Sequence, residues 1–310
     1  MSMKNIVVIG SLNMDQVTRV HKTPKIGETV SGNGLHHNPG GKGANQAVAL
    51  GKLGANVTMI GKVGNDTFGH QLKANLAKMN VKDNVEVTEN ASTGLAFIMV
   101  NDNADNSIVV IEGANGEIRP EDVKSEWFDK MDYVALQLEI PIETVSEILK
   151  HSKKLGKTTF LNPAPAKVLD DQLLELVDYL VVNETEFEQI SGISYTQHND
   201  LIKGYEKIGV KNIILTLGTK GAWFYDGVKQ FHTPAKVVKA VDTTAAGDSF
   251  IGGFIYELSR GGTAQQAMEF ATEVAAFTVT KLGAQSALPY LSDIKKRAIN
   301  LKNETDNYLF

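Results

Sequence analysis

Two hydrophobic periods alternate along this chain, and their order predicts its architecture. Residues 5–10 form a short β-branched run that closes on Gly10, the pattern of a buried strand. From Asn56 onward, runs of that kind alternate with stretches of helical spacing. The predicted strands are 57–60, 133–138, 158–161, 178–183 and 212–217, then a pair at 222–225 and 229–232. The predicted helices are 67–79, 142–155, 184–190 and 200–208. Two more follow Gly-containing segments: one carries Ala47, Val48, Leu50 and Leu53, and one starts near Ala246 with apolar residues at 250, 251, 254, 255 and 258. Such alternation implies a three-layer α/β fold, with a mostly parallel central sheet and helices on both faces.

Two stretches break the rhythm. Residues 16–38 carry glycines at 27, 32 and 34 and show no helical period, and 93–112 read as a hairpin around the polar turn 101–106. The two are expected to pair as a small β-sheet outside the main layers. Such a sheet either closes over a site as a lid or uses its open face for dimerisation. No internal repeat or low-complexity linker divides the chain, so residues 1–310 are expected to form a single domain with that lid.

Composition narrows the function. The chain is 42% hydrophobic and 22% charged, ordinary for a globular protein with a full core. A net charge of −5 without a dense basic run argues against nucleic acid, and the four lysines within 150–157 read as the solvated end of a helix. Absence of cysteine excludes a disulfide framework, a thiolate nucleophile and a Cys-based zinc site. The run 6–9 is too short for a signal-peptide core and nothing approaches a membrane span, so a cytoplasmic protein is expected. His21, His36, His37, His70, His151, His198 and His232 show no metal-binding spacing.

Candidate chemistry collects at predicted strand ends, where ligands bind in parallel sheets: Asn13, Asp15, Glu139, Asn183, Thr216 and Asp248. Segment 11–15 lacks the glycines of a dinucleotide turn. Asn13 and Asp15 are two apart and leave one face of an extended segment, which suits vicinal hydroxyls; an Asx turn is the alternative. Segment 39–46 is similar to a phosphate loop, but Gly43 stands where Ser or Thr would hold magnesium. Its glycines instead let backbone approach a ligand, and Asn45 can bind a polyol. Asn183 and Glu186 either hold magnesium through water or cap a helix. Thr216, Gly218 and Gly221 suit either a nucleotide or an ordinary turn. The decisive stretch is 242–248, in which small residues lead into a helix whose bare N–H groups suit an anion. Asp248 would repel a phosphate there unless its task is to take a proton from an attacking hydroxyl; otherwise it complements the helix N-terminus.

Taken together, segments 40–45 and 242–248 resemble the two signatures of the ribokinase-like (PfkB) carbohydrate kinases. Asn183 with Glu186 resembles the family's magnesium-associated motif, and Thr216 to Gly221 its nucleotide-binding strand end. The likeness runs the whole length, with Ala245 where many members carry Gly. It implies transfer of the γ-phosphoryl group of ATP to the O5 hydroxyl of D-ribose, with Asp248 as base and an anion hole at Ala245, Ala246 and Gly247. Sugar would be held by Ser11, Asn13, Asp15, Gly40, Gly41, Lys42, Asn45 and Glu139. ATP would lie against Asn183, Glu186, Thr216, Gly218, Lys220, Gly221 and Gly247, with Mg²⁺ reached from Glu186 through water. A K⁺ activator would sit at Asp242, Thr244, Thr278, Lys281 and Gly283. The family often ends that segment in Ser, whereas Ala287 takes the place here with Ser286 one earlier, and the last ligand stays open. The resemblance also fits a homodimer joined through the lid. A fructokinase, a nucleoside or 2-deoxyribose kinase, and a sugar sensor without turnover are the alternatives.

Overall fold

The computed structural model describes residues 2–103, 105–297 and 299. In chain order the elements are β1 (Asn5–Ile9), β2 (Asn13–Val20), β3 (Gly32–Gly40), α1 (Lys42–Leu53), β4 (Asn56–Gly64), α2 (Thr67–Lys78), β5 (Lys82–Thr88), β6 (Gly94–Val100) and β7 (Asn106–Ile111). After short 3-10 turns come β8 (Tyr133–Gln137), α3 (Ile142–Lys154), β9 (Thr158–Asn162), α4 (Asp171–Leu174), β10 (Tyr179–Asn183), α5 (Glu184–Ser191), α6 (His198–Ile208) and β11 (Asn212–Thr216). The chain continues through β12 (Ala222–Tyr225), β13 (Gln230–Thr233), α7 (Ala246–Ser259) and α8 (Ala264–Thr278).

Among the described residues nine strands form the larger sheet, in the order β13-β12-β11-β10-β9-β8-β1-β4-β5. Its pairings are parallel from β11 to β5, and β12 and β13 join antiparallel at one end. The alternation along β1 shows why both faces are covered: Ile6 and Val8 enter one core, Val7 and Ile9 the other, and all four are fully buried. The first core packs α1, α2, α7 and α8; the second packs α3 to α6.

Three elements lie beyond the sequence pattern, among them the one-turn helix α4. Strand β5 is a polar edge strand rich in charge, so its apolar alternation is too short to mark a strand and it instead protects the sheet edge. Helix α8 packs along α7 and completes the first core. Strand β4 also runs to Gly64, four residues past the predicted end, because the Gly61-Lys62 pair hides its period; Lys62 is buried there, donating to the Glu117 carbonyl and to Asp122, each at 3.0 Å.

The predicted small sheet exists, in the order β3-β2-β6-β7. Its strands start closer to the larger sheet than the pattern indicated, since β2 opens at Asn13 and β3 ends at Gly40. The candidate sugar residues therefore sit on the roots of the small sheet.

Candidate active site

The site is assembled where β1, the roots of β2 and β3, α1, β8, α5 and α7 converge. Helix α1 begins without a side-chain cap. Gly41 precedes it at φ 86°, a conformation open to glycine, and a Cβ there would lie 2.7 Å from the Asn13 amide nitrogen. Glu139, just past β8, supplies what a cap would: its Oε2 accepts from the Lys42 N–H at 2.9 Å and from Ser11 Oγ at 2.5 Å. One carboxylate thus joins three candidate residues that the chain separates widely.

Helix α1 then grips Asp248. Asn45 Nδ2 donates to Asp248 Oδ2 at 2.9 Å and Gln46 Nε2 donates to Oδ1 at 3.1 Å. Gln137 Nε2 donates in turn to Gln46 Oε1 at 2.6 Å. Asp248 lies in the first turn of α7, 7% exposed, beside Gly247, which faces open space. Ala245 precedes the helix at φ 58°, a left-handed conformation costing a non-glycine residue on the order of 1–2 kcal/mol, and strain of this kind clusters at functional turns. Of the three amides expected to form an anion hole, that of Ala246 also reaches the Thr243 carbonyl, at 3.2 Å.

Asn13 is buried, and its Oδ1 accepts from Asn115 Nδ2 at 2.7 Å, which leaves its own amide hydrogens to face a ligand. Asn115 also exchanges hydrogen bonds with the Leu12 backbone. The half-buried Asp15 follows on the same face of β2. Burial, then the charges of Glu139 and Asp248, push its pKa up to about 7. Lys42 answers this crowd of carboxylates. Burial alone would push its ammonium down, but Asp248, Glu139 and Glu186 outweigh burial and hold it above the ordinary lysine value.

Asn183 and Glu186 realise the capping alternative. The Asn183 side chain accepts from the Glu186 N–H at 2.8 Å, while the Asn183 N–H and Nδ2 donate to the two Glu186 oxygens, each at 3.0 Å. Burial raises the pKa of Glu186. Thr216 ends β11 with its hydroxyl on the Val182 carbonyl, and Gly218, Lys220 and Gly221 form the following turn. His232 Nε2 lies 2.8 Å from the Lys220 carbonyl and anchors that turn from β13.

Asp242 meets Gly283 across 41 residues. Its Oδ2 accepts from the Gly283 N–H and its Oδ1 from the Thr244 N–H, both at 2.9 Å. Burial opposes ionisation of Asp242, but these hydrogen bonds prevail and lower its pKa. The Val241 and Asp242 amides both reach the Val279 carbonyl, stitching this loop to the end of α8. The Thr278 carbonyl accepts from the Lys281 N–H, and Ala287 is fully buried with its N–H on the Ala284 carbonyl.

Gln46, Gln137 and Asn115 carry the site as much as the expected residues do. Gln46 directly follows the first signature and Asn115 stands within a Gly-Ala-Asn-Gly turn, which were the available signals; nothing local marks Gln137.

Chemically, the carboxylates of Asp15, Glu139, Glu186 and Asp248 and the ammonium of Lys42 act on one another beside the start of α7, an arrangement suited to deprotonating a polyol beside an anion. The model of the pfkB family carbohydrate kinases matches residues 3–291. A ribokinase of Staphylococcus aureus (strain COL) is 38% identical over 304 residues, covering 94% of this chain and 98% of its own. A deoxyribokinase of Salmonella typhi is 39% identical over 299 residues, covering 94% and 98%. The solved structure of Arabidopsis thaliana ribokinase complexed with ribose and ATP superposes with a TM-score of 0.88 at 29% identity, covering 95% of this chain and 98% of that one.

Proposed function

The chain belongs to the pfkB family of carbohydrate kinases, and on that premise we propose that it transfers the γ-phosphoryl group of ATP to the O5 hydroxyl of D-ribose, giving ribose 5-phosphate and ADP. The observation that carries this reading is Asp248, a buried carboxylate held by two amides at the open N-terminus of α7. Negative charge beside a phosphate is useful there as a proton acceptor. As the O5–phosphorus bond forms, Asp248 takes the hydroxyl proton. The bond between the γ-phosphorus and the bridging oxygen breaks, and its electron pair leaves with ADP. Amides of the 245–247 turn face the charge on the transferring group.

Asn13, Asp15, Gly40, Gly41, Lys42, Asn45 and Glu139 hold the sugar, with Ser11 behind Glu139. Asn45 Oδ1 is buried without a partner among the described residues, an acceptor suited to a sugar hydroxyl. Asn183, Thr216, Gly218, Lys220, Gly221 and Gly247 line the ATP site. Magnesium arriving with ATP neutralises the phosphates. Glu186 fits an outer contact to it through water, since Mg²⁺ on a triphosphate keeps much of its hydration shell and needs only one or two carboxylates. Asp242, held ionised against Gly283, would be the charged ligand of a K⁺ site, to which Thr244, Thr278, Lys281, Gly283 and Ala287 would contribute main-chain oxygens.

The reading extends to the whole chain as one domain working in the cytoplasm. Among the described residues no helix is long and apolar enough to cross a membrane. Leu35, Phe97 and residues 108–111 expose apolar side chains on the small sheet, a surface suited to pairing two lids in a homodimer.

The deoxyribokinase relatives support a second reading, 2-deoxyribose as substrate. ADP release from MgATP with ribose, 2-deoxyribose, fructose and adenosine, each with and without potassium, separates the two. Ribose-dependent turnover that rises with potassium is expected. A different preferred acceptor would keep the Asp248 chemistry and redraw the sugar contacts. Ribose binding without any turnover would turn the protein into a sensor.

The raised pKa of Asp15 makes a further prediction. Its ionised form is the better acceptor for sugar hydroxyls, and that form is lost as pH falls through about 7. The KM for ribose should therefore rise toward about tenfold per pH unit below that point, and Asp15→Asn should flatten the profile. An equally steep profile in the variant would place the titrating group elsewhere.

A further inference from the structure

We infer that Gln46 and Gln137 are positioning residues that form a one-way amide relay locking Asp248 in the orientation it needs as base. The inference rests on the assignment of Asp248 above.

Polarity follows from donor and acceptor inventory. A carboxylate only accepts, so Gln46 must turn its NH₂ group toward Asp248 Oδ1, which directs its own oxygen inward. That oxygen takes the NH₂ group of Gln137 at 2.6 Å. Gln46 and Gln137 are both fully buried, so water cannot substitute for either partner. Gln137 is the last residue of β8, a central strand paired with β1 and β9. Asp248 by contrast sits one turn into a helix entered through the strained Ala245 and the open Gly247. The relay thus ties the carboxylate to the centre of the sheet as well as to its own helix. Gly10 makes room for it: a Cβ there would lie 2.1 Å from Gln137 Oε1.

The test reverses the relay. In Gln137→Glu a protonated side chain still donates to Gln46 Oε1, but an ionised one only accepts. Gln46 must then rotate and present its oxygen to Asp248. We expect the ratio of variant to wild-type kcat at saturating ribose to fall by roughly 10- to 100-fold between about pH 6 and 9. Ribose KM should move in parallel with that of the wild type. Asp15 and the nearby Glu139 and Lys42 are common to both proteins and cancel in the ratio. Gln137→Leu removes the donor at every pH, so its kcat should drop about tenfold with no such slope. A ratio that stays flat and within twofold for Gln137→Glu, or a Gln137→Leu enzyme that loses thermal stability but keeps kcat, overturns the relay. Should neither variant fold, Gln46→Met reads the same loss of kcat, and wild-type turnover in it also overturns the proposal. Asp248→Asn measured alongside separates the two levels: if that variant turns over normally the base assignment fails, whereas if it is inactive and the glutamine variants are normal only the relay fails.

Discussion

Asp248→Asn is expected to lower kcat by about 10²- to 10⁴-fold, the usual contribution of a positioned general base. Ribose affinity should stay within a few-fold. The substitution keeps shape but exchanges an acceptor for a donor, and both partners of Asp248 are amide NH₂ groups. The new NH₂ therefore faces Asn45 or Gln46, and one of them must turn its oxygen toward it. Such a swap is feasible at Gln46 with Gln137 reversing behind it, since Gln137 Oε1 has no partner among the described residues and Asn45 Oδ1 stays available to the sugar. Fold and sugar pocket should survive while the proton acceptor is gone. Steady-state kinetics with calorimetric titration of ribose provides the check. Turnover near the wild-type rate, or a parallel collapse of sugar binding, would remove Asp248 from its role.

The second large effect is expected from Gly43→Ala. An added methyl would lie 2.6 Å from the Ser11 amide nitrogen and 2.8 Å from the Gly10 carbonyl carbon. Both atoms are backbone at the end of β1, so no flexible side chain can yield, and α1 must lift from the sheet. That movement would break the Lys42 amide contact with Glu139 and shift Asn45 and Gln46, which hold Asp248. Overpacking of this kind costs about 1–3 kcal/mol, and misplacing the catalytic constellation by about 1 Å costs on the order of 10²-fold in kcat/KM. Urea unfolding together with kcat/KM measures both. A Gly43→Ala variant with wild-type midpoint and efficiency would show that α1 and β1 can part without consequence.

Much of the fold was legible because strands and helices reflect side-chain spacing over a few residues. Hidden elements were those whose stability comes from neighbours. Strand β5 has only Val85 and Val87 as apolar residues, too short an alternation to mark it, and pairs because β4 offers it an edge. The hydrophobic pattern places Asn13, Asp15 and Gly40 outside the small sheet, yet they are its first and last rungs, with Asn13 opposite Gly40 and Asp15 opposite Asn38. Nothing in residues 11–15 breaks the chain between the two sheets, so pairing decides the boundary.

The candidate site divides along the same line. An acid in a turn of small residues at the start of a helix is anomalous on local grounds, and Asp248 could be singled out from residues 242–258 alone. Asn183 and Glu186 were legible as a pair three residues apart, but only the folded chain shows that they cap one another. Gln137 bears no local mark, since a glutamine ending a strand has an ordinary solvated reading.

The sequence by itself determined most of the strand and helix order, the two covered faces of the sheet, the glycine-lined starts of α1 and α7, and the identity of the odd carboxylate. These depend on sterics and hydrophobic spacing within one or two turns of chain. Tertiary structure alone decided that Asp248 meets an asparagine 203 residues away, that Glu139 caps α1, and that Gln137 faces Gln46. Hydrogen bonds need their partners within a few tenths of an ångström and in the right orientation, and that precision exists only after helices and sheet have packed.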